Sequence, residues 1–327
     1  MPATFFCAFE PAKIIVFDMS PSRTIARVVP PTRTNPAITR LIGTVDIDGV
    51  GTAHPLAEVD PFILLDMADI DKNAMPPFGA HPHFGHSVAT ILLAGKVRSR
   101  DSIQLKDDIL LGPGTCLVDA GSGIFHEEVS VIDDERDPTQ HVKLFQLWMG
   151  VKDADRSKPV RVQFASRLST VECVDPESGD VVGCATYYLG DETLIETLHP
   201  ILVIHVQQRA GSTYHVPTVP THGGFVVHML GKASYGEVVS DSTSIVEDIN
   251  TVLVLNNTND SEGPDHLLVT TEDDTEYLVC SGERMHEPWV KKLVANGALF
   301  AKTVDQAREL AMKVEEMAKA VKAQTGM

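Results

Sequence analysis

Residues 80–87, Ala-His-Pro-His-Phe-Gly-His-Ser, and residues 120–129, Ala-Gly-Ser-Gly-Ile-Phe-His-Glu-Glu-Val, decide the fold. A β-strand sends side chains i and i+2 to the same face, so His81 and His83 point one way, and so do His126 and Glu128. Three imidazoles and one carboxylate can then converge on one ion. Between the two pairs lie an apolar run from Val88 to Leu93, a turn at Ala94-Gly95-Lys96, a polar strand from Val97 to Ser102 and the loop Gly112-Pro113-Gly114. These are hairpin signals that bring the pairs face to face, and they predict a metal site inside a small β-barrel. With 13 histidines in the chain one close pair carries little weight; two i,i+2 pairs in one segment, each bounded by strand and turn signals, carry more. The same parity puts His86 and Glu127 on the opposite face from their pairs, in structural or solvent-facing roles.

Outward from this centre, residues 61–150 alternate short apolar runs with breaks rich in Gly, Pro and Asp, the spacing of an all-β barrel. Asp133-Asp134-Glu135-Arg136-Asp137-Pro138 reads as a solvated surface loop rather than a metal cluster. A strand through Val142 to Met149 leads into a polar linker, Lys152 to Lys158, which ends at Pro159. The second half repeats the pattern: residues 225–232, Phe-Val-Val-His-Met-Leu-Gly-Lys, echo residues 89–96, Ala-Thr-Ile-Leu-Leu-Ala-Gly-Lys. Aligning Leu230 on Leu93, one residue off the register of the Gly-Lys turn, puts Thr218 and Pro220 where His81 and His83 stand, so the repeat is expected to hold no metal. The expected domains are an N-terminal extension (1–20), a metal-binding barrel (21–155) and a second barrel (156–327) ending in a helix. That helix has Thr303 as N-cap, Gln306 completing a capping box, and an apolar stripe of Val304, Ala307, Leu310, Ala311, Val314, Met317, Ala318 and Val321. From Pro30 to Pro36 the prolines predict extended loop.

At 327 residues the chain has room for about two domains. Its 27 basic and 45 acidic residues give a net charge of −18, which repels phosphate backbones and argues against direct nucleic-acid binding. No stretch approaches the roughly 20 apolar residues of a membrane helix. Five scattered cysteines, Cys7, Cys116, Cys173, Cys184 and Cys280, lack Cys-x-x-Cys spacing and cannot all pair within the chain. They point to a reducing compartment: the cytoplasm, with the nucleus as a second location.

Taken together, residues 81–85, 93–95, 100–102, 112–114 and 120–128 resemble the pirin family of the cupin superfamily. The likeness extends to Asp60-Pro61-Phe62-Ile63-Leu64-Leu65-Asp66, Leu144-Phe145-Gln146-Leu147-Trp148, Ser281-Gly282-Glu283 and Glu287-Pro288, and runs from about Ser22 to about Leu310. It implies two cupin-type β-barrels in tandem, a bicupin, with a C-terminal helix. It also implies one metal, usually iron as Fe(II), on His81, His83, His126 and Glu128. In one respect the chain departs from the family, which commonly follows His-Pro-His with Arg-Gly-Phe-Glu where this sequence has Phe84-Gly85-His86-Ser87.

Nitrogen and oxygen donors without thiolate suit iron, manganese, nickel, zinc or copper; the resemblance favours iron. Four protein ligands leave two octahedral positions open. The resemblance also implies chemistry, since some relatives oxidise the flavonol quercetin with O₂. A small aromatic substrate would then meet the metal, and Glu128 would be the catalytic base that takes its enolic proton. The alternative, from the same resemblance, is a non-enzymatic iron-dependent redox sensor or transcription cofactor that acts through a protein partner.

Overall fold

The computed structural model describes residues 22–35, 37–43, 50–51, 59–70, 78–131, 141–236, 245–287, 290–294 and 297–325. The expected N-terminal extension, Cys7 and the charged stretch 133–138 lie outside the described residues. Within the described residues the chain is β-sheet throughout, with one α-helix at its end, Val304–Thr325.

Four sheets stack in two pairs. The first half has a seven-stranded sheet in the order Arg161–Ala165, Gly114–Asp119, His86–Ala94, Val142–Gly150, Phe62–Ile70, Ile38–Ile42, Thr32–Asn35. Facing it is a second sheet, in which Phe78–Phe84, Ile124–Ser130, Lys96–Asp101 and Asp107–Leu111 lie side by side. Side chains from both fill the space between, among them Val88, Leu92, Val97, Leu110, Val118 and Ile124. The second half repeats the plan with a seven-stranded sheet centred on Gly223–Leu230 and Thr275–Gly282, and a four-stranded sheet led by Thr213–Pro217 and His266–Thr271. The sheets of each pair are separate, so each cupin unit is a β-sandwich, a barrel left open at its seams.

The sheet that holds His86–Ala94 and the seven-stranded sheet of the second half pack back to back and join the halves. Their shared core includes Phe62, Leu65, Ala89, Ile91, Phe145 and Leu147 from the first half, and Val203, Phe225, Val227, Val252 and Leu278 from the second. Phe62 meets Phe225 edge to face, ring centres 5.2 Å apart. This explains the largely apolar strand His86–Ala94: one face (Val88, Leu92) lines the first sandwich while the other (Ala89, Ile91) lines the joint, so both faces are buried over most of its length. The repeated turns match as well: Gly95 at φ 90° and Gly231 at φ 87° each carry the chain from one sheet of a sandwich to the other, so the turn expected to close a hairpin at Gly95 is a corner between sheets.

Sheet membership does not follow chain order at the ends. Ile25–Val29, placed in the first domain by the sequence reading, pairs with Thr251–Leu255 of the second half. Just before it, the buried Arg23 guanidinium donates to the carbonyls of Val219 (3.3 Å), His222 (3.0 Å) and Asn256 (2.6 Å). Conversely, Val290–Val294 and Gly297–Ala301 join the first half's outer sheet, the latter running parallel to Phe78–Phe84. The helix therefore packs on the first half. Ala307, Ala311 and Val314 bury against Phe84, Phe125 and Leu299, with Leu310, Met317, Ala318 and Val321 beside them, while Val304 of the expected stripe is exposed. Thr303 caps the helix as expected, its hydroxyl accepting from Gln306 N (3.2 Å), but Gln306 returns its bond to Lys302 N (3.1 Å) rather than to Thr303.

Two further expectations are corrected. Thr32–Asn35, expected as loop, is a short edge strand paired with Ile38–Ile42, which flanking prolines permit because they do not interrupt its ladder. The stretch 152–158 is no loose linker: Asp153–Asp155 forms a 3₁₀ turn, Lys152 pairs with Glu283 (3.0 Å), and Asp155 meets His199 (3.1 Å). No helix of the described residues is long and apolar enough to cross a membrane.

Candidate metal centre

The strand Phe78–Phe84 pairs antiparallel with Ile124–Ser130 in a register that sets His81 opposite His126. With His83 two residues along, the three rings close on one another, centroids 4.7 to 4.9 Å apart, and one donor atom from each lies within 4.8 Å of the others. Among the described residues this is the group of three or more metal-ligating side chains that converges. His83 and His126 are buried, and His81 is half-buried at the mouth.

The hydrogen bonds sort the ring nitrogens. His81 Nδ1 is 3.0 Å from the Gly79 carbonyl, which can only accept, so Nδ1 carries the proton and Nε2 keeps a lone pair. That Nε2 faces His126 Nε2 at 3.2 Å. His83 Nδ1 is 3.0 Å from His86 Nε2, and His83 Nε2 is buried with no protein partner. A buried nitrogen lone pair with no donor is costly in a closed protein and suits a cation. Electrostatics agree. Burial first, then the neighbouring His126, pushes His81 down to about 4; burial alone pushes His126 to about 4; burial and the other rings hold His83 well below the usual histidine value. All three imidazoles are neutral at physiological pH, the state a metal ligand needs.

Glu128 is not within the close trio. The ladder slips between His126 and Glu128, and the carboxylate takes a hydrogen bond from Thr90 Oγ1 on the facing sheet (2.6 Å), which also contacts Gln146 Oε1 (3.2 Å). Burial raises the Glu128 carboxyl above its ordinary value, with the Thr90 bond and the nearby His81 opposing the rise. Glu128 thus sits inside the sandwich, close enough to the imidazoles for its charge to be felt by His81.

The residues that depart from the usual His-Pro-His sequel have clear places. Phe84 is buried beneath the C-terminal helix, so close to Gly123 (φ 120°) that a Cβ there would fall 1.9 Å from its ring. Ser87 donates to Asp119 Oδ1 (2.6 Å), whose other oxygen accepts from Arg161 Nε (2.9 Å). His86 overturns the parity expectation: it is buried, touches His83, and lies against Trp148 and Phe300 at ring distances of 5.3 and 4.5 Å. The reason is Gly85, whose φ of 71° reverses the chain between two strands, so that alternation along one strand says nothing about the next. The Gly at 85 was the available sign that parity should be restarted there. Thr90 gave no such sign, being one polar residue within an apolar strand.

Two β-sandwich units in tandem, one holding three convergent histidines, define the chain as a bicupin. Residues 44–149 match the family model described as Pirin. A pirin-like protein of Caulobacter vibrioides is 32% identical over 118 residues, 35% of this chain, and the match spans 37% of that curated relative. Among solved structures, a quercetin 2,3-dioxygenase from Acinetobacter baumannii aligns with a TM-score of 0.70 at 19% identity, over 91% of this chain and 98% of its own. The bacterial pirin YhhW from Escherichia coli, in complex with nickel(II), aligns with a TM-score of 0.51 at 12% identity, over 80% of this chain and 96% of its own. At these identities the structural likeness speaks for the fold.

Proposed function

We propose that the protein binds one divalent ion, iron(II), through His81, His83, His126 and Glu128, and that it oxidises a flavonol-type aromatic substrate with O₂. The observation that carries the reading is the convergent trio of neutral imidazoles, with the buried His83 Nε2 left without a protein partner. Likeness in fold to a quercetin 2,3-dioxygenase supports the choice of substrate class, and the nickel complex of YhhW supports metal binding in such a fold. When bound, iron supplies Lewis acidity and one-electron chemistry toward O₂.

The protein's own residues supply the rest. A flavonol becomes electron-rich enough for oxidation when its enolic hydroxyl loses a proton, and Glu128 is the base at hand. Its burial strengthens it as a proton acceptor, and Thr90 donates a hydrogen bond to one of its oxygens. Trp148 lies edge-on to His83 at 5.2 Å and covers one side of the trio, while Phe84 and Phe125 face away from it toward the C-terminal helix. The net charge of −18 suits a small uncharged or weakly acidic substrate rather than a polyanion. A reducing setting, the cytoplasm, suits the four free cysteines of the described residues.

The test is metal analysis combined with oxygen uptake. Protein loaded with iron(II) should hold about one ion per chain and consume oxygen when given quercetin or a related flavonol. Iron binding at that ratio with no oxygen consumed on any flavonol removes the enzymatic reading and leaves the redox-sensor alternative, read as iron-state-dependent affinity for a protein partner.

A further inference from the structure

We propose that His86 is a positioning residue for the metal ligand His83: it relays a constraint from the backbone carbonyl of Phe84 that fixes His83 as its Nδ1–H tautomer and so aims the Nε2 lone pair at the ion. The inference rests on the metal-site reading above. It starts from a carbonyl oxygen, which can only accept. His86 Nδ1 lies 2.9 Å from Phe84 O and must therefore carry a proton. In a neutral ring His86 Nε2 then has only a lone pair to offer. That lone pair faces His83 Nδ1 at 3.0 Å, so His83 Nδ1 must be the donor. His83 in turn keeps its free pair on Nε2, the buried nitrogen without a protein partner. Each proton is settled by the one before it.

The relay has a simpler counterpart next door. For His81 a backbone carbonyl, Gly79 O, fixes the tautomer directly at 3.0 Å. For His83 the same constraint arrives through a second imidazole. A ligand histidine whose remote N–H is bonded gains a fixed orientation and a more basic donor nitrogen, which is why loss of such a partner commonly weakens metal binding. The local fold is built to hold His86 there. Gly85 at φ 71° turns the chain so tightly that a Cβ would lie 2.4 Å from Phe300 O, and the His86 ring is gripped between Phe300 and Trp148. Neither ring contact offers an alternative hydrogen-bond acceptor to the His83 N–H.

The experiment uses the full chain labelled with ¹⁵N-histidine and zinc(II) as the diamagnetic probe. Long-range ¹H–¹⁵N correlation should show His86 protonated on Nδ1 in zinc-loaded wild type, and His83 protonated on Nδ1 with its Nε2 resonance shifted by the metal. His86→Phe keeps a ring but removes the acceptor, and should weaken zinc affinity by about 10- to 100-fold in a chelator competition. His86→Gln offers an amide oxygen to the His83 N–H and should recover most of the loss, which a merely space-filling role would not. The proposal is overturned if His86→Phe binds zinc as wild type does, or if wild-type His86 carries its proton on Nε2. The second result stands even where the Phe variant fails to fold. Zinc uptake abolished by His81→Ala but untouched by His86→Phe refutes the relay alone. Absence of zinc uptake by wild type refutes both the relay and the metal site.

Discussion

Neutral burial of His126 makes a prediction about acid. Its imidazole is held at about 4 by burial, against 6.5 for an ordinary histidine. The unfolded chain therefore binds a proton between these values that the folded, metal-free chain refuses. Stability must rise with pH across that window: the contribution is complete above pH 6.5 and is lost progressively as pH falls toward 4. From pH 7 to pH 5 the linkage amounts to about 2 kcal/mol for this one side chain, and it approaches about 3 kcal/mol at pH 4. The assay is urea unfolding of chelator-treated wild type and His126→Gln at pH 7 and pH 5. Groups remote from position 126 titrate alike in both proteins, so the difference between the two pH dependences reports position 126 together with the imidazoles it touches. The variant should be less sensitive to acid by about 2 kcal/mol. Adding nickel(II) or zinc(II) should protect wild type at pH 5 and not the variant, because metal and proton compete for the same lone pair. Identical pH dependence in wild type and His126→Gln would show that His126 is not held neutral, and would remove the electrostatic argument for the centre.

Three other outcomes are expected. His81→Ala and His83→Ala should each lose most bound metal by elemental analysis, and wild type should carry one ion rather than two; a second ion that persists in these variants would place metal in the C-terminal half. Glu128→Gln keeps an oxygen of similar reach but offers no proton acceptor, so metal should largely remain while flavonol-dependent oxygen uptake falls by on the order of 10²-fold; unchanged uptake would dismiss Glu128 as the base. Thr303→Ala removes the cap on Gln306 N and should lower stability by about 1 kcal/mol, seen as faster amide exchange in the first turn of the helix, with exchange at the metal strands unaltered.

What the sequence determined by itself is whatever a period expresses. Alternation in residues 80–83 and 126–128 put the histidines on common faces, and His81, His83 and His126 do converge. Apolar runs ended by Gly95 and Gly231 marked two copies of one strand-and-turn unit, and helical spacing from Ala307 to Val321 marked the face that packs. Parity failed at His86 because Gly85 ends one strand and begins another, and a period holds only within an element. Tertiary structure alone decided the contacts made across sheets. Thr90 reaches Glu128 only because two sheets face each other. Ile25–Val29 and Gly297–Ala301 each complete a sheet at the far end of the chain from their own neighbours, where an open strand edge offers its unpaired N–H and C=O groups. Local pattern says which side of a strand is apolar; which edge it pairs with depends on backbone groups that every residue carries alike, so only the assembled fold can choose.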